Sequence, residues 1–331
     1  MSSLKQHEPP EASGEGGPPS HAGYYDIPAI HGADWKWLVI GYFYFGGMSG
    51  ASAAVAAFSR LHGGTSGARL ARIATYISFL SLMPCPVFLI LDLGRPARFF
   101  HMLRVFRTSS PMSIGTWGLT TFGLISTLTT GLQLLEDRSS PHGVRPGASG
   151  RTAGNVLALL GGLSGFFVAG YTGVLLTATA VPLWSKRPGL LGPLFFSSAM
   201  TSGVAAINAV AATVEHEDGD DFGGLRALEM VSTVVEESLL VTWIIALGPT
   251  AKPVAGGPLG AVVRHGAAGA GMALPLAVTA LAHHLPRGMR RPATLISAAL
   301  TLAGGFAVRY AVVMGGRQSA GDPQATFDMT G

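Results

Sequence analysis

Residues 70–135 read LARIATYISFLSLMPCPVFLILDLGRPARFFHMLRVFRTSSPMSIGTWGLTTFGLISTLTTGLQLL. Two long apolar runs, 70–91 and 112–135, are parted by a joint, Leu91–Trp117, that carries Asp92, Arg95, Arg98, His101, Arg104 and Arg107. Each run has about the 20 residues a helix needs to cross the hydrocarbon of a bilayer. The runs are continuous rather than alternating, which fits helices and not the strands of a membrane barrel. An apolar run, a charged turn and a second apolar run make a membrane hairpin.

The same pattern extends over the chain. Of 331 residues, 48% are hydrophobic and 12% are charged, against about 25% charged in a soluble domain. Eight membrane helices are predicted, over 36–58, 70–91, 112–135, 155–184, 191–214, 225–248, 264–285 and 293–315. The fold class is therefore all-α and polytopic. An even count puts both termini on one face, side A, and the acidic loop EHEDGDD (215–221) on the other, side B. The run 155–184 is too long for a perpendicular crossing, so it is tilted, bent or partly outside the bilayer. Residues 1–33, rich in Pro, Gly, Glu and Ser, read as a disordered tail. No basic, apolar and small-residue sequence marks a cleaved signal peptide. The membrane domain is 34–316 and a short tail is 317–331. Lys and Arg divide eleven on side A against ten on side B, so charge does not orient the chain.

Composition also bounds the chemistry. With Cys85 as its one cysteine, the chain neither ligates an iron–sulfur cluster by itself nor forms an internal disulfide. None of its ten histidines falls near a predicted helix midpoint, so haem held between helices is not expected. Basic residues scattered over short loops do not make a nucleic-acid surface.

Ionisable groups inside apolar runs say more. Glu229 and Glu236 are seven residues apart, hence on one face of the sixth helix, with Glu236 near mid-span. A charge at the bilayer centre costs about 2.5–3.5 kcal/mol on insertion scales, so such a carboxyl is protonated, paired or wetted. Arg309 on the eighth helix sits at comparable depth, and together these three suggest proton transfer or an interhelical ion pair. In the opening stretch, Asp92, Gly94, Arg95 and Pro96 are turn residues at a helix exit. Arg98, His101, Arg104 and Arg107 recur as on one face of a short interfacial helix. Ser110 is placed to cap a helix whose first residue is Pro111. This basic segment either meets lipid phosphates or shapes a rim for a head group or docking partner. Trp35, Trp37, Tyr42, Tyr44 and Trp184 gather at the side A level as an interfacial belt; Tyr171 lies deeper. Gly46, Gly47, Gly50, Gly161 and Gly165 have the spacing of close helix packing.

DLGRPARFFHMLRVFRTSSPMSIGTW (92–117) closely resembles the loop between helices two and three of the NrfD/PsrC family, the membrane subunits of polysulfide-reductase-like molybdoenzyme complexes. The resemblance continues, in order, through YDIPAIHGADWKWLVIGYFYFGGMSGAS (25–52), YTGVLLTATAVPLW (171–184), LGPLFFSSAMTSGVAA (191–206) and GGFAVRYAVVMGGRQSAGDP (304–323). It implies eight helices in two four-helix bundles, without haem, in the bacterial cytoplasmic membrane. It implies a subunit that exchanges electrons between menaquinone or ubiquinone and a ferredoxin-like iron–sulfur subunit, which serves a molybdopterin-type catalytic subunit. Carried over by position, Tyr42, Asp92, Arg95, His101 and Tyr171 would form the quinone pocket. Asp92 and Arg95 would organise its rim, and His101 would donate a proton. Glu229, Glu236 and Arg309 would move protons. Some members carry an acid in helix four where this chain has Ala178, which leaves proton pumping open. Two other readings fit the residues: a proton- or ion-coupled transporter built on Glu229, Glu236 and Arg309, and a purely structural anchor.

Overall fold

The computed structural model describes residues 35–62, 64–94, 101, 103–104, 106–139, 148–214, 223–281 and 284–322. The expected tail 1–33, the loop 215–221 and Arg95 lie outside them. Every regular element among the described residues is helical. The long ones are α1 (Trp37–His62), α2 (Gly64–Leu82), α3 (Pro84–Asp92), α4 (Pro111–Ser139), α5 (Ala148–Thr177), α6 (Pro188–Val214), α7 (Gly223–Leu247), α8 (Gly257–Leu281) and α9 (Arg287–Ala320).

Seven stretches among the described residues are long and apolar enough to cross a membrane: Trp37–His62, Ser66–Asp92, Arg151–Thr177, Pro188–Val214, Gly223–Ala255, Gly257–Leu281 and Gly288–Ala320. The protein is an integral membrane protein. The expectation of eight such spans is met short by one. α4 forms over 29 residues but is not among the seven, because its six threonines and four glycines dilute its apolarity.

Local chemistry explains the breaks. Pro84 and Pro86 lack the N–H groups a continuous helix would use, so α2 and α3 meet at Met83 within one crossing. Gly94 ends α3 in the left-handed region, φ 64°, with its N–H on Leu91 O at 3.3 Å. Ser110 Oγ accepts the Ser113 N–H at 3.4 Å and Pro111 opens α4, as its sequence leads one to expect. The long run 155–184 is bent: α5 stops at Thr177, and a separate turn of helix, Pro182–Ser185, follows. Thr177 and Thr179 Oγ1 bond back to Val174 O and Leu176 O at 2.8 and 2.7 Å there. Inside α8, Val262–Ala273 winds as a π-helix.

α1 is the most buried of the seven spans and touches α2, α3, α5, α6 and α9. Its glycines allow this. A Cβ at Gly50 would strike the Gly165 carbonyl oxygen of α5, so the two backbones cross in contact. α4 packs on α2 and α5, α6 on α5, α7 and α9, and α8 on α9. Trp35 stacks on Trp184, whose Nε1 donates to Val312 O at 2.8 Å, so part of the expected aromatic belt is interior packing.

Candidate functional site

At the side A end, α1, α4 and α5 bring two distant tyrosines together. Tyr42 on α1 is 4% exposed and lies within electrostatic reach of Tyr171 on α5 and of buried Cys85 on α3. The Tyr171 hydroxyl donates to Pro111 O, the first residue of α4. Gly115 makes the space: a Cβ there would collide with the Tyr171 ring. The phenols thus stand among α1, α4 and α5, with Tyr171 held at the first residue of α4. Asp92, exposed at the end of α3, is within electrostatic reach of Lys36 at the start of α1. His101 is helical and exposed. Of the five residues expected at this site, Tyr42 and Tyr171 lie within electrostatic reach of each other, and Arg95 lies outside the described residues.

A second polar group fills the middle of α6, α7 and α9. Arg309 has no exposed surface. Its Nε donates to Phe43 O at 3.2 Å, and its Nη1 donates to Ser198 Oγ at 2.7 Å and Gly305 O at 2.8 Å. The rings of Tyr44 and Phe195 each lie 5.6 Å from the guanidinium carbon. Gly47 admits this fork, since a Cβ there would sit 3.0 Å from Nη2. Glu236, 1% exposed, lies beside the hydroxyls of Ser198 and Thr201 and within electrostatic reach of Arg309. Ser198 can accept from the guanidinium and donate to the carboxylate, so it links the two. Glu236 Oε1 itself is buried without a hydrogen-bond partner. Two turns away on the same face, Glu229 accepts from Asn208 Nδ2. There a cavity of about 50 Å³ is lined by Asn208, Arg226, Glu229, Thr279, Thr294 and Ser297. Of the three ionisable residues, Glu236 and Arg309 are within electrostatic reach of each other, and Glu229 sits apart with Asn208 and Arg226.

Sequence reasoning missed Ser198, Thr201 and Asn208, which become partners only once α6 crosses α7 and α9. It also missed a network at the side B ends of α1, α2 and α4. Arg60 Nη2 pairs with Glu136 Oε1 at 2.9 Å, and Arg72 Nε with Asp137 Oδ2 at 2.8 Å. Tyr76 Oη donates to Asp137 Oδ2 at 2.6 Å, and Gln133 Nε2 to Asp137 Oδ1 at 3.0 Å. One signal was available. Two carboxylates in the last turns of α4 oppose the negative end of the helix dipole, an unfavourable place unless cations face them.

The comparisons with known proteins agree with this architecture. The profile of the family "Polysulphide reductase, NrfD" matches residues 29–320. A polysulfide reductase component of Wolinella succinogenes is 24% identical over 307 residues, 87% of this chain and 95% of that protein. A selenate reductase component of Mesobacillus selenatarsenatis is 33% identical over 85 residues, 26% of this chain and 19% of that protein. Both relatives are, by name, one component of a reductase. A match over nearly the whole chain, on an all-helical membrane fold, identifies this protein as a member of the NrfD polysulphide reductase family.

Proposed function

We propose that this chain is the membrane anchor and quinone-reactive subunit of a reductase-type complex in the bacterial cytoplasmic membrane. It holds menaquinone or ubiquinone where electrons pass between the quinone and an iron–sulfur partner subunit, which serves a molybdopterin-type catalytic subunit. The observation that carries the reading is the approach of Tyr42 to within electrostatic reach of Tyr171. Phenol groups there can hydrogen-bond the two oxygens of a quinone whose isoprenoid tail stays in lipid. Carried over by position, Asp92, Arg95 and His101 would form the polar rim, and His101 would exchange a proton with the reduced ring. Glu229, Glu236 and Arg309 form a protonatable column in the second half of the chain.

The reading includes α4 as an eighth crossing, with the helices in two groups of four. Its two ends support this. Pro111 lies at the level of Tyr171, while Glu136 pairs with Arg60, the far end of the crossing made by α1. A helix that meets both levels runs the thickness of the others, even though hydroxyl groups lower its apolarity.

Purification of the tagged protein from native membranes, with assay of iron, co-purifying subunits and quinone, tests the reading. A cluster-bearing partner and bound quinone are expected. Tyr42→Phe and Tyr171→Phe should keep the partner and lower quinone-linked turnover by about tenfold or more, the scale of a lost proton-transfer or hydrogen-bonding group. Wild-type turnover in both variants with the complex intact would reduce the chain to a structural anchor. An iron-free, solitary protein that moves protons or solutes would make it a transporter.

A further inference from the structure

A groove of about 610 Å³ lies between the two halves of the chain and is lined by no residue of either polar group above. Five helices wall it, through Val55 of α1, Leu70 of α2, Phe166 of α5, Met200 of α6 and Leu228 of α7. Leu70, Met200 and Leu228 rest on a buried apolar cluster that includes Ala74, Ile77, Val204 and Ile207, so the inner side is closed. Phe58, Phe166 and Val231 on its walls are exposed, so the outer side opens to hydrocarbon. The volume is that of a small-molecule site, about 300–1,000 Å³. A loose shell of lipid covers any membrane helix. A chain seated in this recess differs, because protein atoms meet it from several sides and contribute dispersion that a flat face does not.

The groove has the length of one leaflet. At its inner end Gly165, the neighbour of Phe166, crosses α1 at Gly50. Ser59, at the other end, is two and a half turns further along α1, about 14 Å, or about half the hydrocarbon thickness. The mouth is therefore at side B, where Ser59, Ser66, Gly67 and Gly224 line it. α2 begins at Gly64 and α7 at Gly223, and neither has an acidic residue in its first turn. The N–H groups of those turns have no helical carbonyl to bond, and both dipoles present their positive ends. Exposed Arg69 and Arg226 follow within the first two turns. This charge suits a phosphate. The acidic stretch 215–221 precedes α7 in the sequence, which favours a head group with an amine beside the phosphate.

We propose that the groove binds one zwitterionic phospholipid of the side B leaflet, with an acyl chain against Met200 and Leu228 and the phosphate at the first turns of α2 and α7. The seated chain is a packing element. It fills space that side chains leave open between α1, α2 and α5 on one side and α6 and α7 on the other. The proposal is independent of the quinone reading, since it uses neither Tyr42 nor Tyr171.

The first test needs no variant. The protein, purified from native membranes with whatever subunits accompany it, is reconstituted with phosphatidylethanolamine that carries a photoactivatable group midway along one acyl chain. Crosslinks should concentrate on the peptides of Met200 and Leu228, above the exposed faces of α4 and α8 at Leu128 and Leu274. Even labelling of all lipid-facing helices overturns the site. Native mass spectrometry after detergent exchange should then show one phosphatidylethanolamine retained per chain. Ala54→Phe and Ala227→Phe fill the groove and should cut retention about tenfold or more, the scale of a steric conflict. Leu124→Phe, on the exposed face of α4, should leave it unchanged. Undiminished retention in both groove variants overturns the proposal, as does a retained quinone in place of the phospholipid. Phosphatidylglycerol held in preference to phosphatidylethanolamine overturns the choice of head group.

Discussion

Arg309 carries a guanidinium with no exposed surface inside the helix bundle. Its neighbours explain why it is tolerated: carbonyls of α1 and its own helix, the Ser198 hydroxyl and two aromatic rings surround it. Glu236, beyond Ser198, supplies the opposite charge. Removing one member of such a group leaves the others desolvated and unmatched, which costs more than removing both. Arg309→Met should therefore lower the thermal midpoint of the detergent-solubilised protein. Adding Glu236→Gln to it should recover part of the loss, with a coupling of about 0.5–3 kcal/mol. A double variant that is merely additive would mean that Ser198 does not connect them. The ionisable residues of this column were legible in the sequence because a carboxylate or guanidinium inside an apolar run is costly and therefore conspicuous. Ser198 and Thr201 were not, since SSAMTSG reads equally well as small residues for close packing.

Between elements, glycine position decides how near the helices come. Gly50 on α1 and Gly165 on α5 allow backbone contact, and a Cβ at Gly50 would meet the Gly165 carbonyl oxygen, which cannot rotate away. Gly131 on α4 has nothing within 4 Å of the same position. Gly50→Ala should destabilise by about 1–3 kcal/mol, as overpacking does. Gly131→Ala should be neutral or stabilise by up to about 1 kcal/mol, since alanine is the better helix former. Thermal melts of the two single variants check this, and equal behaviour would refute the backbone contact. The small-residue spacing on α1 and α5 announced such a contact, but not which glycine would meet which. Only the crossing point does that. Likewise residues 70–91 announced one crossing, but not the break at Met83 where Pro84 and Pro86 part α3 from α2.

Across the whole molecule, the outstanding issue is whether α4 spans the bilayer, because parity assigns sides to everything after it. Hydropathy counts seven spans among the described residues, since it scores each residue as if it faced lipid. α4 instead buries Ser126, Thr130 and Gln133 in a helix packed on α2 and α5, with Arg60 of α1 on Gln133, so their polarity is hidden. A helix can therefore fail an apolarity threshold and still cross, provided its polar face is inside the protein. The contacts at its ends argue the same way: Tyr171 of α5 holds Pro111, and Arg60 of α1 holds Glu136. The lone cysteine, Cys85, is buried, so a Cys85→Ser background allows single cysteines to report sides. Exposed Trp37 and Phe106 should label from one face of sealed vesicles with a membrane-impermeant thiol reagent when replaced by cysteine. Exposed Leu61, Arg138 and Val214, replaced in turn, should label only from the other. Phe106→Cys and Arg138→Cys labelling from the same face would make α4 a surface helix.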